Sequence, residues 1–393
     1  MTLAISNARI VLADGVVSGG IIIEDGIIKA ITSELWPQAD ECYDAEGRYV
    51  SPGFIDLHVH GGGGYDFMDG TARSMLGAAR EHMRHGTTLL LPTTVACNDE
   101  ELERVFSAFR EAKVSTEDKP HLYGVHLEGP YLSPLQAGAI DPAYIIEPKA
   151  EHVEKVIAMG GEDIKRITFA SELPGAMEMC RKLKEMGVVL SLGHTDAEYE
   201  NIAQAVDAGA SLVTHLYSAM SMLRRHNAYR YLGLVESAYL MDELNVEIIS
   251  DGKHLPPELL RLILKLKDND KISLITDAVR GAGMPDGSIV RLGSLENGQD
   301  AIIRDGVAFV PDGSCFAGSV CTANRCIWTM CNLAGLEVYE AVRMMTYNPA
   351  KVLGLENSKG AIHVGYDADL CVFDDDINIK DVFVSGKRMN LEK

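Results

Sequence analysis

The chain has 393 residues, of which 47% are apolar and 24% charged, a balance typical of a globular protein with a large core. This length allows two or three domains, or a single barrel of about 250 residues with a smaller addition. The 57 acidic residues outnumber the 36 Lys and Arg residues, giving a formal net charge of −21. A field of that sign repels nucleic acid and anionic membranes, so neither is expected as a partner. An anionic substrate would need a local cationic pocket.

The first 50 residues predict short strands separated by turns, at residues 4–12, 19–24, 27–31 and 41–49. The segment before residue 14 has no cationic region and alternates like a strand, so we expect no secretory signal. Eight cysteines are scattered along the chain and none forms a C-x-x-C pair. This pattern favours free thiols and a cytoplasmic protein over disulfides or a zinc knuckle.

The middle of the chain alternates β-rich runs with helix-like segments. Most of the runs are continuously apolar, as in parallel strands that are covered on both faces. Eight strands are predicted, at residues 54–60, 88–94, 122–128, 167–172, 188–194, 212–217, 246–251 and 272–277. Helix-like segments between them include 72–85, 99–112, 175–186 and 196–208. Eight β/α units predict an α/β fold of the (β/α)8 TIM-barrel type rather than an open sheet.

The remaining segments predict an insertion and a second β-rich region. Residues 289–314 alternate in polarity, which predicts a β-hairpin inserted after the eighth strand. From residue 354 the sequence again shows short strand-like runs separated by turns, as it does near the N-terminus, and strands are expected at 369–373 and 381–384. We therefore predict a small β-sandwich domain built from both termini, residues 1–52 with 354–393. The catalytic barrel would then span residues 53–353.

Histidines and carboxylates cluster where the predicted strands end, which is where TIM barrels carry their chemistry. His58 and His60 are spaced i, i+2 on one strand, so both rings project to the same face and can bind one metal ion. Asp277 ends the eighth strand, where its carboxylate would face a water at the metal. Six residues form this candidate metal site: His58, His60, Glu128, His194, His215 and Asp277.

These residues also carry a family resemblance. Residues 51–60, Ser-Pro-Gly-Phe-Ile-Asp-Leu-His-Val-His, resemble the opening signature of the amidohydrolase superfamily. Further motifs, in order along the chain, resemble those of N-acetylglucosamine-6-phosphate deacetylases: 126–131, 193–195, 214–217, 251–254, 276–278, 348–350 and 365–370. The resemblance implies a metal-dependent TIM barrel with a small β-sandwich. It also implies a homodimer that removes acetate from an acetamido sugar.

The resemblance assigns roles to the metal-site residues. It implies that Glu128 is the central ligand in place of a carbamylated lysine, and the predicted fourth strand indeed contains no lysine. Glu128, His194 and His215 would hold the catalytic ion, and the His58–His60 pair would allow a second ion bridged by Glu128. We expect one or two divalent ions, with Zn²⁺ as the first choice and Fe, Mn or Co as alternatives.

Two further roles concern the reaction. Asp277 would take a proton from the attacking water and pass it to the departing nitrogen, because amide hydrolysis requires both transfers. His254 would hydrogen-bond the acetamide oxygen as charge develops there. Its alternative is an ordinary histidine of a surface loop. A non-catalytic binding protein on the same scaffold would have no need to retain Asp277, and a cyclic amidase is disfavoured by the missing lysine.

The substrate-binding loops depart from the family pattern. Ile140 stands where the family has a histidine, Ser218 replaces an asparagine, and the Arg-Glu-Pro-Gly segment that binds the sugar phosphate is absent. Arg224, Arg225 or Arg230, in the segment that stands there instead, would either rebuild a phosphate site or be solvated arginines. The residues expected to contact substrate are Gly138, Ser218, Ala219, Arg225 and His254.

The leading prediction is hydrolysis of N-acetylglucosamine 6-phosphate to glucosamine 6-phosphate and acetate. The alternatives are N-acetylgalactosamine 6-phosphate and an unphosphorylated acetamido compound. The expected partner is therefore a small acetamido sugar, with no nucleic acid and no membrane.

Overall fold

Eight parallel strands form a barrel in the computed structural model, which describes residues 1–392. They are Phe54–Val59, Thr87–Thr94, Val125–Glu128, Ile164–Phe169, Val189–Leu192, Leu212–Val213, Asn245–Ile249 and Ile272–Ile275, here called barrel strands 1 to 8. Neighbouring strands pair in chain order, and a parallel bridge from Val59 to Ala278 joins strand 1 to the end of strand 8. The short strand His121–Leu122 pairs with strand 2 ahead of strand 3.

Helices cover the outside of the barrel and bury their apolar faces on its strands. The α-helices are Ala72–Arg84, Asp99–Lys113, Ala150–Gly160, Ala176–Glu185, Tyr199–Asp207, Leu234–Leu240, Pro257–Leu266, Ala323–Thr329, Val338–Met344 and Tyr347–Val352. A π-helical turn at Met330–Ala334 follows the helix Ala323–Thr329. Single 3-10 turns lie at Phe67–Asp69, Pro134–Gln136, Pro142–Tyr144, Gly161–Asp163 and Asn269–Lys271. Across residues 1–392, every helix falls short of the length and apolar character that a membrane crossing requires.

Local sequence explains where these helices begin. The Thr71 hydroxyl accepts from the Ser74 backbone N–H, and the Asn98 side chain accepts from that of Glu101. Such caps satisfy backbone donors that have no partner inside the helix.

Strands from both termini form one eight-stranded sheet. The strands are Thr2–Leu12, Gly15–Glu24, Ile27–Thr32, Glu41–Asp44, Tyr49–Pro52, Leu370–Phe373, Ile379–Val384 and Lys387–Arg388. The termini join where Leu370–Phe373 pairs antiparallel with Tyr49–Pro52. A separate apolar core, which includes Ile5, Ile21 and Leu370, lies against this sheet. The predicted fold class, a (β/α)8 barrel plus a small β-sandwich built from both termini, is confirmed.

An antiparallel sheet follows barrel strand 8 and returns the chain to the barrel. Its four strands, here called the inserted sheet, are Ile289–Leu292, Gln299–Arg304, Val307–Phe309 and Phe316–Ser319. The expected hairpin near 289–314 is thus part of a larger unit. The Ser319 N–H donates to the Asp277 carbonyl at 2.9 Å. This contact places the inserted sheet directly over the end of strand 8.

Two short hairpins complete the barrel mouth. One pairs Gly61–Gly62 with Tyr65–Asp66 after strand 1, and the other pairs Arg224–His226 with Tyr229–Tyr231 after strand 6. The second is here called the arginine hairpin.

Candidate active site

The six strand-end residues of the predicted metal site converge at the barrel mouth, in two groups. His58, His60 and Asp277 form one group, with the two histidine Nε2 atoms 3.1 Å apart. In the other, Glu128 Oε1 lies 3.0 Å from His215 Nε2 and 3.2 Å from His194 Nε2. The groups adjoin, because Glu128 Oε2 lies 3.2 Å from His60 Nε2.

The donor atoms of this cluster fit divalent metal ions. All four imidazoles direct Nε2 to the centre, where the Nε2 atoms of His58 and His60 lie 3.1 Å apart and those of His194 and His215 lie 3.2 Å apart. The Nδ1 atoms of His58, His60 and His215 are buried without a hydrogen-bond partner, and it is the Nε2 atoms that face the carboxylates of Glu128 and Asp277. Imidazole nitrogen with carboxylate oxygen is the donor set that Zn²⁺ and related ions prefer. Glu128 contacts both groups, because its Oε1 also lies 3.4 Å from His58 Nε2 and its Oε2 faces His60.

Backbone geometry turns three of these side chains inward. His194, His215 and Asp277 have positive φ angles of 47°, 28° and 47°, which non-glycine residues rarely adopt. Each such residue costs on the order of 1 to 3 kcal/mol, so the surrounding structure must hold it in place. For Asp277 this support includes a 2.9 Å hydrogen bond from its N–H to the His58 carbonyl.

Electrostatics keep both carboxylates of the cluster ionised. Burial alone would raise the pKa of Glu128, but the charge of His58 and hydrogen bonds from His194 and His215 hold that pKa well below its usual range. Burial likewise opposes ionisation of Asp277, yet His58 and His60 lower its pKa. Burial opposes protonation of His58 and His60, yet Glu128 and Asp277 raise the pKa values of these histidines to about 9 and about 10. A divalent cation would take the place of these protons between the two carboxylates.

A cavity of about 310 Å³ opens above the cluster. Four of the five residues predicted to contact substrate line it, namely Gly138, Ser218, Ala219 and His254. Another part of the wall is apolar and comes from the loop after barrel strand 3 and from the inserted sheet: Leu135, Ile140, Leu292 and Phe316. The cavity is thus polar at its metal-site floor and largely apolar at its wall, a usual arrangement for a small-molecule site.

The arginine hairpin lies outside this cavity. Arg225 is exposed on its first strand, and Arg230 is exposed and donates to the Ala228 carbonyl at 3.0 Å. Arg224 donates to Asp196 at 2.8 Å and lies 3.3 Å from Glu198, so its charge is already balanced. Within residues 1–392 the cavity lining contains neither Lys nor Arg. The structure therefore does not bring Arg225 together with the other expected substrate contacts.

Sequence reasoning assigned no role to three residues of this site. The Asp251 carboxylate binds His254 Nδ1 at 2.7 Å, and the His254 ring packs on Phe316 with centroids 4.7 Å apart. The Gln136 carbonyl accepts from His194 Nδ1 at 2.8 Å, which sets the orientation of that ring. Asp251 could have been found, since it lies three residues before His254. Phe316 and the Gln136 carbonyl carry no local sequence signal.

Comparisons with known proteins agree with this geometry. A model of the amidohydrolase family matches residues 49–389. The chain is 33% identical over 388 residues to an N-acetylglucosamine-6-phosphate deacetylase of Lysinibacillus sphaericus, covering 98% of this chain and 97% of that protein.

Solved structures agree over the whole length of the chain. The N-acetylglucosamine-6-phosphate deacetylase from Pasteurella multocida has a TM-score of 0.90 at 31% identity, covering 99% of each chain. A mutant of the Mycobacterium smegmatis enzyme in complex with N-acetyl-D-glucosamine-6-phosphate has a TM-score of 0.88 at 32% identity, covering 99% of this chain and 98% of that one. The chain is a metal-dependent amidohydrolase and belongs to the N-acetylglucosamine-6-phosphate deacetylase family.

Proposed function

We propose that the chain hydrolyses the acetamide of N-acetylglucosamine 6-phosphate to give glucosamine 6-phosphate and acetate. The observation that carries this proposal is the convergence of four histidine Nε2 atoms with Glu128 and Asp277 on the floor of a cavity. Relatives with this activity, which match nearly the whole chain, support the choice of substrate.

Each polar residue of the site has a task in this reaction. Divalent metal, when bound by His58, His60, Glu128, His194 and His215, supplies Lewis acidity for attack on the amide. Asp277 accepts a proton from the attacking water and delivers it to the leaving nitrogen, which restores the carboxylate. His254 donates a hydrogen bond to the acetamide oxygen while negative charge develops there.

The substrate would enter with its acetamide toward the metal site. We propose contacts from Gly138, Ser218, Ala219 and His254, which line the cavity. The sequence also predicted a contact from Arg225, which its exposed position on the arginine hairpin does not support.

A second candidate is an unphosphorylated acetamido compound. One observation favours it: the cavity lining within residues 1–392 offers no Lys or Arg to balance a phosphate, and part of its wall is apolar. N-acetylgalactosamine 6-phosphate is the alternative with the same chemistry and a phosphate.

A substrate panel tests these candidates. Purified protein would be loaded separately with Zn²⁺, Mn²⁺, Co²⁺ or Fe²⁺ and assayed for acetate release from both 6-phosphates and from the free acetamido sugars. We expect the highest kcat/KM for N-acetylglucosamine 6-phosphate, and higher values for the free sugars would favour the second candidate. No acetate from any compound with any metal would contradict the deacetylase proposal. Asp277→Asn is the control for a contaminating activity.

We further propose one or two bound ions, with Zn²⁺ as the first choice, and a cytoplasmic homodimer. The exposed apolar side chains of Met222, Leu223 and Tyr229, on and beside the arginine hairpin, support the homodimer because such groups gain from being covered. The scattered free cysteines support the location. Metal analysis would give the number of ions per chain, light scattering would give the mass in solution, and fractionation of cells would give the location.

A further inference from the structure

The His254 ring is bound by a carboxylate that has no task in the proposed reaction. Its Nδ1 lies 2.7 Å from Asp251 Oδ2, and the two side chains are only 7% and 3% exposed. A carboxylate can only accept at this contact, so Nδ1 must carry a proton. The contact with Asp251 leaves the other ring nitrogen, Nε2, free of that carboxylate, and the ring lines the cavity.

Asp251 is itself fixed by its own loop. Its Oδ1 accepts the backbone N–H groups of Lys253 and His254, each at 2.8 Å, and these bonds close a turn around Gly252. Gly252 has a φ of +73°, a conformation that favours glycine. The Phe316 ring packs against the imidazole with centroids 4.7 Å apart and an interplanar angle of 55°. The imidazole therefore has a carboxylate at one nitrogen and an aromatic ring beside it, which together define its orientation.

We propose that Asp251 is a positioning residue that orients His254 and balances the charge of its protonated ring, so that Nε2–H is directed at the acetamide oxygen. The inference rests on the role of His254 in the proposed function. With Nδ1 bound to Asp251, Nε2 donates to a carbonyl only when it also carries a proton, so the working form is the imidazolium. Its positive charge at the developing oxyanion is worth more than a neutral donor because the site is shielded from water.

The other titratable groups around this pair do not replace Asp251. The Cys321 thiol lies near it and hydrogen-bonds the Cys326 thiol; that bond and burial raise the pKa of Cys321 well above its usual range, so it stays neutral. Asp277 and His215 share the cavity with His254, but both belong to the metal cluster. Lys253 is exposed.

A double-mutant cycle on the metal-loaded enzyme tests the proposal. Asp251→Asn keeps the shape of the side chain and removes its charge. We expect it to lower kcat/KM by roughly 10- to 100-fold, as loss of an orienting carboxylate typically does, with metal content unchanged. In the His254→Asn background the same change should cost less than about twofold, because its effect passes through His254. Asp207→Asn, at an exposed helix end, is the matched control and should leave kcat/KM unchanged.

Equal losses in both backgrounds would show a structural role for Asp251 and overturn the proposal.

A second measurement applies even if Asp251→Asn folds poorly. Nitrogen-15 spectra of the wild-type holoenzyme, assigned by comparison with His254→Asn, report which ring nitrogens of His254 carry a proton. We expect a proton on Nδ1 whether or not Nε2 is also protonated, and a proton on Nε2 alone would also overturn the proposal. A wild-type enzyme that released no acetate would contradict the proposed function instead, while the spectra would still test the Asp251–His254 pairing.

Discussion

Asp369 joins the terminal sheet to the barrel, and its replacement should weaken the fold by a predictable amount. Its carboxylate is 8% exposed and accepts from Lys359 at 2.5 Å, from the Ser385 N–H at 2.7 Å and from His121 at 3.3 Å. Burial alone would raise the pKa of Asp369. The hydrogen bond from His121 and the charges of His121 and Lys359 outweigh burial and lower that pKa from 3.8 to about 2.

The size and sign of the effect follow from this pKa. The difference between 3.8 and about 2, at about 1.4 kcal/mol per pH unit, corresponds to about 2.5 kcal/mol of stability from the ionised carboxylate. Because the folded pKa is the lower one, this contribution is complete above the unfolded pKa and is lost as the pH falls through about 2. At pH 3 about 1.3 kcal/mol should remain by the same linkage relation.

Urea unfolding of wild type and Asp369→Asn at pH 7 and pH 3 measures this difference. The matched control is Asp367→Asn, since Asp367 also contacts Lys359, at 2.7 Å, but is 33% exposed. Solvent screening should limit the cost of that change to less than about 1 kcal/mol. A cost of Asp369→Asn that is the same at both pH values would refute the reasoning. So would a control that destabilises as much as Asp369→Asn.

Three further predictions concern the site. Glu128→Gln should lower bound metal per chain by at least about half, because Glu128 contacts both ligand groups; metal analysis showing full content would contradict the site. Asp277→Asn should reduce kcat by roughly 10²-fold or more with metal content little changed, and unchanged turnover would refute its proton-transfer role. Arg225→Ala should change KM for N-acetylglucosamine 6-phosphate by less than about twofold, since Arg225 lies outside the cavity. A tenfold rise would instead show that Arg225 contacts the phosphate.

The barrel was predictable because most of its strands are continuous apolar runs. Strand 4 shows where that signal fails: the expected segment was 167–172, and the strand is Ile164–Phe169. Arg166 interrupts the apolar run, yet it is fully buried and donates to Glu247 in strand 7 at 2.6 Å. A buried ion pair between residues 81 apart is invisible to local patterns.

The division into residues 1–52 with 354–393 and 53–353 stays a prediction, which the pairing of Leu370–Phe373 with Tyr49–Pro52 supports.

The metal-site residues were predictable for a different reason, because parallel strands bring their carboxyl ends to one place. A histidine at the end of strand 5 and one at the end of strand 6 must therefore be near neighbours, whatever the loops do. No such rule brings Leu292 or Phe316 to the cavity. Their position depends on how the inserted sheet folds back over the barrel, and that is set by contacts such as Ser319 N–H to the Asp277 carbonyl. The metal-site residues were therefore easier to predict from the sequence than the residues that line the substrate cavity.

The chain has a net charge of −21, and the part of it that matters for substrate binding is the charge inside the cavity rather than the charge on the surface. Glu128 and Asp277 are ionised at the floor beside His58 and His60, whose positive charges a bound metal would replace, and within residues 1–392 the lining contains no Lys or Arg. An anionic sugar phosphate would then depend for attraction on bound metal, whose positive charge inverts the local field. It would keep its phosphate near the mouth, where solvent screens the repulsion. A phosphorylated substrate should therefore have a lower Kd for the metal-loaded protein than for the metal-free protein, whereas the Kd of an uncharged acetamido sugar should respond much less to this field. Measuring both Kd values with and without metal, in the Asp277→Asn variant that does not turn the substrate over, separates the two candidate substrates by physical cause.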